Sequence, residues 1–416
     1  MGALDATVKE IERIVLHVPF HERCRATMQA YGPGWCIVEL CRVTTACGVV
    51  GVGETIQGYT WGHSGEKQFA RVRGANLFEH LWDDSLGAGL QMALFDAAGK
   101  LLGVPCHRLM GVPHRDACPL SWWAQSMTPQ EWAAEAQAAQ EHGFTTMKVK
   151  ARPWHDIDAQ LQAVGAVVPR HFRMDIDFNG LLLGVDAAVP LIGRLEDRHP
   201  HLAIVESPIP QDDVAGNRML RGKIRSPIAM HMGSPPPMTA IREEVCDGFV
   251  LGGGARRTIE SGILCQQAKM PFWLQMVGTG LTTTFAAHLG AVLQQARWPS
   301  INCINIYSHT LLTEFRVEGG YLRVPDEPGL GVAIDWDAVE RFRVADAFTL
   351  EPVRQIHSIR WPDGRVTRHP DGGYRADFLS GKITGFLPGI ELEIRLDDGT
   401  AEFEREYQDL FPGVSR

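Results

Sequence analysis

The sequence predicts an α/β protein: a TIM-type barrel, preceded by an α+β cap and followed by a small β-rich C-terminal extension. Three observations predict it. Short apolar runs alternate with amphipathic stretches across the middle of the chain; strand patterns precede helical ones in the N-terminal quarter; glycine-led turns space short strand-like segments near the end. Counting elements leaves a doubly wound sheet as a structural rival.

The cap is expected over residues 1–115. Its strands are Ile11 to Val18, Trp35 to Thr44 and Val49 to Glu54, divided by Gly32-Pro33-Gly34 and Ala46-Cys47-Gly48. Residues 70–111 read as helical, with Met92, Phe95 and Gly99 at helical spacing where another element could approach closely. The barrel is expected over 116–325. Its candidate strands are Pro119 to Trp123, Thr145 to Lys150, Arg173 to Phe178, Leu202 to Glu206, Pro227 to His231, Gly248 to Leu251, Pro271 to Met276 and Ile301 to Tyr307. Between them, Thr128-Pro129-Gln130-Glu131 reads as a capping box opening a helix. Residues 156–168, 238–245, 255–269 and 282–296 carry apolar side chains at spacings of three and four. Residues 326–352 are expected to return to the cap, and 353–416 to form the extension.

Composition narrows the function. With 45% hydrophobic and 21% charged residues the chain is globular in type. A formal charge of −9 argues against nucleic acid, whose binders concentrate Lys and Arg. No apolar run is long enough for a membrane span, and residues 1–12, with three acidic side chains, do not read as a signal peptide. The nine cysteines form no CxxC pair and most sit beside aliphatic residues, which predicts reduced thiols and a cytoplasmic protein.

In such a barrel, chemistry gathers at the C-terminal ends of the strands. Those ends carry Lys148 and Lys150, Asp175 and Asp177 with Asn179, Glu206, His231, Asp247, Gln275, and Asn302 or Asn305. Period-two alternation puts the two lysines on one face, and the two aspartates likewise. An isolated KxK pair is more often an exposed edge strand. Here carboxylates close neighbouring strands, and buried charges of opposite sign are tolerated when they pair.

These residues resemble the mandelate racemase and muconate-lactonising group of the enolase superfamily. The resemblance covers roughly residues 8–345. It rests on Ala93-Leu94-Phe95-Asp96-Ala97-Ala98-Gly99-Lys100-Leu101-Leu102-Gly103-Val104-Pro105, Met147-Lys148-Val149-Lys150, Asp177-Phe178-Asn179, Val205-Glu206-Ser207-Pro208 and Pro328-Gly329-Leu330-Gly331-Val332, in that order. It implies a (β/α)7β barrel, a capping domain made from both chain ends, a homo-oligomer such as a dimer or octamer, and bound Mg²⁺. The implied chemistry is removal of a proton α to a carboxylate, with Lys150 as base and Lys148 touching the substrate carboxylate. Two adjacent ammonium groups depress each other's pKa, which suits one of them to act as a base. Loops carrying His21, Arg25 and Trp61 would close over the substrate, with Asn179 and Asn305 also expected to touch it.

The chain departs from the group's pattern in places. Asp177 and Glu206 match two metal ligands, but alignment without a gap puts Met232 on the third, with His231 replacing it after a one-residue shift and Ser234 a weaker candidate. A thioether suits Mg²⁺ poorly. Asp247 matches the acid of a His–Asp dyad, but Gln275 stands where the histidine is expected. Gln cannot titrate, so one-base chemistry on the Lys150 side fits better than racemisation through two bases. Gly252-Gly253-Gly254 lacks phosphate-loop spacing. The resulting expectation is a lyase or isomerase acting on a hydroxylated or sugar acid. The alternatives are a divergent anion binder without metal-dependent turnover, and a Schiff base on Lys150.

Overall fold

The computed structural model describes residues 5–57, 59 and 62–413. The N-terminal strands Val8–His17, Ile37–Thr45 and Val50–Ile56 form an antiparallel sheet in sequence order. The helix Ala88–Leu102 packs across it and is buried on nearly every face, which explains its run of small and apolar residues. A Cβ on Gly99 would stand 2.7 Å from the Gly329 Cα, so the returning segment reaches the helix only because neither position carries a side chain.

Asp96 explains the rest of that motif. Its Oδ2 accepts from Val52 N at 2.9 Å and Lys100 Nζ at 2.7 Å, and its Oδ1 from Leu330 N at 2.8 Å. One buried carboxylate thus ties together cap sheet, helix and returning segment. Asp96→Ala strands two buried N–H groups, and the expected loss is about 3 kcal/mol of folding stability. A lowered urea midpoint at unchanged slope is the readout.

The barrel strands are Ala117–Ala124, Thr146–Lys150, Arg173–Asp177, Leu202–Glu206, Ile228–His231, Gly248–Leu251, Phe272–Leu274 and Ser300–Ile301. Each pairs in parallel with its successor as far as Phe272–Leu274. The ring closes through the Gln275–Ile301 bridge and the pairing of Ser300–Ile301 with Leu120 and Ser121. This closure excludes the doubly wound alternative. The last strand is much shorter than the expected run to Tyr307. Cys303 takes a left-handed φ of 55°, Asn302 Nδ2 donates to Met276 O at 2.8 Å, and the chain turns into a 3-10 segment at Ile304–Ile306. The expected capping box is present, with Thr128 and Glu131 bonded reciprocally.

The hairpin Val317–Glu318 and Tyr321–Arg323 pairs with residues 117–119 at the start of the first barrel strand. The chain then returns to the cap, where Arg343 bridges to Leu16. At the C-terminal end, strands Val366–His369, Gln355–Arg360 and Glu391–Leu396 form a second antiparallel sheet. Two helices, Tyr374–Leu379 and Ala401–Leu410, accompany it, so this part holds more helix than its glycine spacing suggested. Its small core takes in Trp154 from a barrel loop, beside Trp361, Tyr374 and Leu392. The nine cysteines are unpaired thiols, all buried except Cys47. Among the described residues no helix is long and apolar enough to cross a membrane.

Candidate active site

Alternation along Thr146–Lys150 turns Lys148 and Lys150 to the same side, and the register sets Lys148 beside Asp175, Lys150 beside Asp177 and Asp177 beside Glu206. That side is the barrel interior: the side chains of Lys148, Asp177 and Glu206 are at most 1% exposed, and Lys150 is 15% exposed. Lys148 Nζ lies 2.5 Å from Glu206 Oε2 and 3.5 Å from Asp177 Oδ2. Lys150 Nζ lies 2.5 Å from the same Asp177 oxygen. Two ammonium groups and two carboxylates therefore form one continuous network. Lys148 also donates to Gln275 Oε1 at 3.0 Å, and Lys150 to Asn179 Oδ1 at 3.2 Å.

The two lysines are driven in opposite directions. Burial opposes the charge on Lys148, but Glu206 and then Asp177 outweigh it, and its pKa is raised. At Lys150 burial is the larger influence; Asp177 works against it, Lys148 works with it, and the pKa is lowered. Asp177 is held well below the usual carboxylate range, the nearby lysines outweighing its burial. Asp175 differs: burial pushes its pKa to about 7, Lys148 only partly offsetting this, and its Oδ2 has no hydrogen-bond partner among the described residues.

Asp175 has a consequence for stability. Between about pH 4 and pH 7 the folded protein holds a proton there that the unfolded chain has released, so this group's contribution falls as pH rises through that window. Asp175→Asn keeps the shape without the charge. It is expected to raise the melting temperature near pH 8, by up to roughly 4 kcal/mol of added stability, and to leave it unchanged near pH 4. Thermal unfolding at the two pH values checks this.

Aromatic side chains roof the network. Trp123 shares register with Lys148, and Trp35 of the cap packs against both Trp123 and Tyr59, with ring centroids 5.9 and 4.7 Å apart. Gln275 Nε2 donates to Tyr59 OH at 3.2 Å, and the Trp273 ring lies 5.5 Å from Lys148 Nζ. Beside them opens a cavity of about 480 Å³ lined by Tyr59, His231, Met232, Gly252, Arg257 and Gln275. Trp35, Trp123 and Arg152 were not singled out from the sequence. The alternation Lys148, Lys150, Arg152 was the available signal for Arg152; nothing local marks the tryptophans.

Register corrects the gapless alignment. Glu206 pairs with Ala229, so the next inward place on that strand is His231, not Met232. His231 Nε2 stands 3.1 Å from Glu206 Oε1, while Met232 follows the strand end at the cavity rim. Magnesium calls for hard oxygen donors in a near-octahedral shell. Here each carboxylate is engaged by an ammonium group, the third inward side chain is an imidazole, and among the described residues no three His, Cys, Asp or Glu side chains converge as a metal cluster. The donor set does not fit Mg²⁺.

Four other expectations are corrected by placement. Asp247 precedes its strand and sits at the N-terminal end of the barrel, where Arg221 Nε and Ile228 N both donate to it at 2.8 Å. Arg25 is exposed and pairs with Glu22 at 3.0 Å. His21 contacts Arg23 and lines a separate cavity with Trp122 and His142, on the outer side of the first barrel strand. Asn305 uses its amide on the Trp123 backbone, accepting at 3.1 Å and donating at 2.8 Å, so it braces a strand end. Trp61 lies outside the described residues. The glycine run opens the helix Ala255–Ala268, whose N-terminus is already met by Asp84: Arg256 N and Arg257 N donate to its carboxylate at 3.0 and 2.9 Å.

Comparison with known proteins agrees with this geometry. The sequence profile of the family described as "Enolase C-terminal domain-like" matches residues 131–338. Muconate cycloisomerase 1-2 of Acinetobacter lwoffii is 25% identical over 386 residues, covering 82% of this chain and 97% of that one. D-xylonate dehydratase of Haloferax volcanii is 25% identical over 367 residues, covering 73% and 85%. The crystal structure of muconate cycloisomerase from Pseudomonas fluorescens superposes with a TM-score of 0.66 at 23% identity, covering 82% of this chain and 99% of that one. With its barrel, its cap and the lysine–carboxylate network inside, the chain belongs to the enolase superfamily, in the mandelate racemase and muconate-lactonising group.

Proposed function

We propose that this protein is a lyase or isomerase that removes the proton α to the carboxylate of a hydroxy acid, with Lys150 as the base. The observation that carries this reading is the divergence within one lysine pair. Lys148 is held charged by Glu206 and Asp177 while Lys150, one alternation further out, is pushed toward its neutral form. Neighbouring titratable groups driven apart in this way supply a base and a fixed charge in one site.

In the step proposed, Lys150 Nζ takes the α proton and the C–H electron pair moves into the carboxylate. The Lys148 ammonium faces the charge that builds on the carboxylate oxygens. Collapse of that intermediate expels a β-hydroxyl, which leaves as water with the proton returned from Lys150. Epimerisation needs a proton donor on the opposite face, and Gln275 has none to give, so elimination is favoured. Dehydratases and cycloisomerases among the relatives support the same class.

A second reading is an anion-binding protein without turnover, favoured by His231 and Gln275 at places where the group carries ionisable or metal-binding residues. Keto-acid release from a panel of hydroxy and sugar acids separates the two. The enzyme reading requires release by the native protein and its loss in Lys150→Ala; binding of acids with no release by either protein favours the second reading.

A further inference from the structure

Two residues past the end of the strand Thr146–Lys150, Arg152 adds a third cation, reaching the Asn179 side chain that Lys150 also reaches. Among the described residues, its guanidinium donates hydrogen bonds only to uncharged oxygens. Nη2 donates to Asn179 Oδ1 at 2.6 Å, and Nη1 to the carbonyls of Ala151 at 2.8 Å and Asp177 at 3.3 Å. Lys150 donates to the same Asn179 oxygen, so two positive charges share one amide. Lys148 and Lys150 each have a carboxylate within 2.5 Å; among the described residues, none stands within ion-pair distance of Arg152. A partly sheltered guanidinium with no carboxylate in contact, Asp177 acting on it only at a distance, is costly, and its planar fork of donors matches a carboxylate or a phosphate.

The C-terminal sheet holds this arginine in place. Phe386 N donates to Pro153 O at 2.6 Å, and the Phe386 ring packs 5.8 Å from Phe178, between Asp177 and Asn179. Trp154 lies in the core of that sheet, and Gly389 N donates to Asp156 Oδ2 at 2.8 Å. Arg375, exposed on the helix Tyr374–Leu379, adds a second guanidinium whose charge is felt at Arg152. The Acinetobacter relative is covered almost end to end by an alignment that leaves about a fifth of this chain unmatched.

We infer that Arg152, clamped by the C-terminal sheet and assisted by Arg375, binds a second anionic group at the far end of the substrate, which makes this a site for doubly anionic acids. The inference rests on the lysine pair as the seat of the first carboxylate. Calorimetric titration of the full chain with pentanoate, glutarate and phosphonobutyrate tests it. Native protein is expected to bind one of the dianions at least about tenfold more tightly than pentanoate. The tighter of the two tells whether the distal group is a carboxylate or a phosphate. Arg152→Gln should erase that preference while pentanoate still binds. Arg375→Gln, at an exposed position of the helix Tyr374–Leu379, should reduce it about threefold. Equal affinity for all three probes, no binding of either dianion, or an undiminished preference in both variants overturns the inference. Dianion binding that depends on Arg152 but survives Lys148→Met unchanged would count against the lysine seat instead.

Discussion

Lys150→Ala is expected to lower kcat by about a thousandfold or more, the usual scale of losing a positioned base, while KM changes only a few-fold. The asymmetry follows from the geometry. Lys148 remains in place with its carboxylate partners and still presents a fixed positive charge to the substrate. Removing the Lys150 ammonium leaves Asp177 within 3.5 Å of Lys148 and hydrogen-bonded by Asn179 N at 2.8 Å, so the barrel does not lose its charge balance altogether. In the native protein kcat should rise with pH as Lys150 loses its proton, with a midpoint below the ordinary lysine value of 10.5. That rising limb should be absent from any residual activity of the variant.

Lys148→Met should damage both rate and stability. Glu206 would be left fully buried with its 2.5 Å ammonium partner gone, and breaking a buried pair from one side costs about 3–5 kcal/mol. Adding Glu206→Gln removes the stranded charge. The double variant is therefore expected to recover much of the stability lost by Lys148→Met but none of the activity, since the cation facing the developing negative charge is still missing. Urea unfolding and kcat of the four proteins in the cycle give the coupling directly. Additive stability losses would mean that the pair does not act as a unit.

Much of this was legible in the sequence because it depends on period. The alternation Lys148, Lys150 and Asp175, Asp177 fixes which side chains share a face once they lie on strands, and the order of short apolar runs marks alternating strands and helices, while the choice of a barrel over a doubly wound sheet needed the closing contacts of Ile301. The run around Asp96 and Gly99 was legible as a close packing site, but its purpose, to receive Val52 N and Leu330 N, depends on segments distant in the chain. Asp247 illustrates the opposite case. One position decides whether a residue ends a strand or precedes it, and hence which end of the barrel it occupies; its backbone bond to Ile228 O puts it at the far end from the lysines. Likewise a one-residue ambiguity near His231 and Met232 was resolved only by pairing of Glu206 with Ala229. Asn305 was misplaced because the eighth strand stops at Ile301, where the left-handed Cys303 breaks the pattern. Trp35 and Trp123 could not be foreseen, as their meeting joins cap and barrel without any local sign.

The most direct measurement is solvent exchange at carbon. Hydroxy acids that the protein binds, incubated with it in deuterated water and followed by proton NMR, should lose the signal of the hydrogen next to the carboxylate, and any keto acid formed should carry deuterium at the neighbouring carbon, from which the hydroxyl left. The Lys150→Ala protein should leave that hydrogen untouched. Turnover that preserves the hydrogen, or exchange that proceeds equally well without the Lys150 amine, would contradict the assignment of the inner lysine pair as a base and its electrostatic partner.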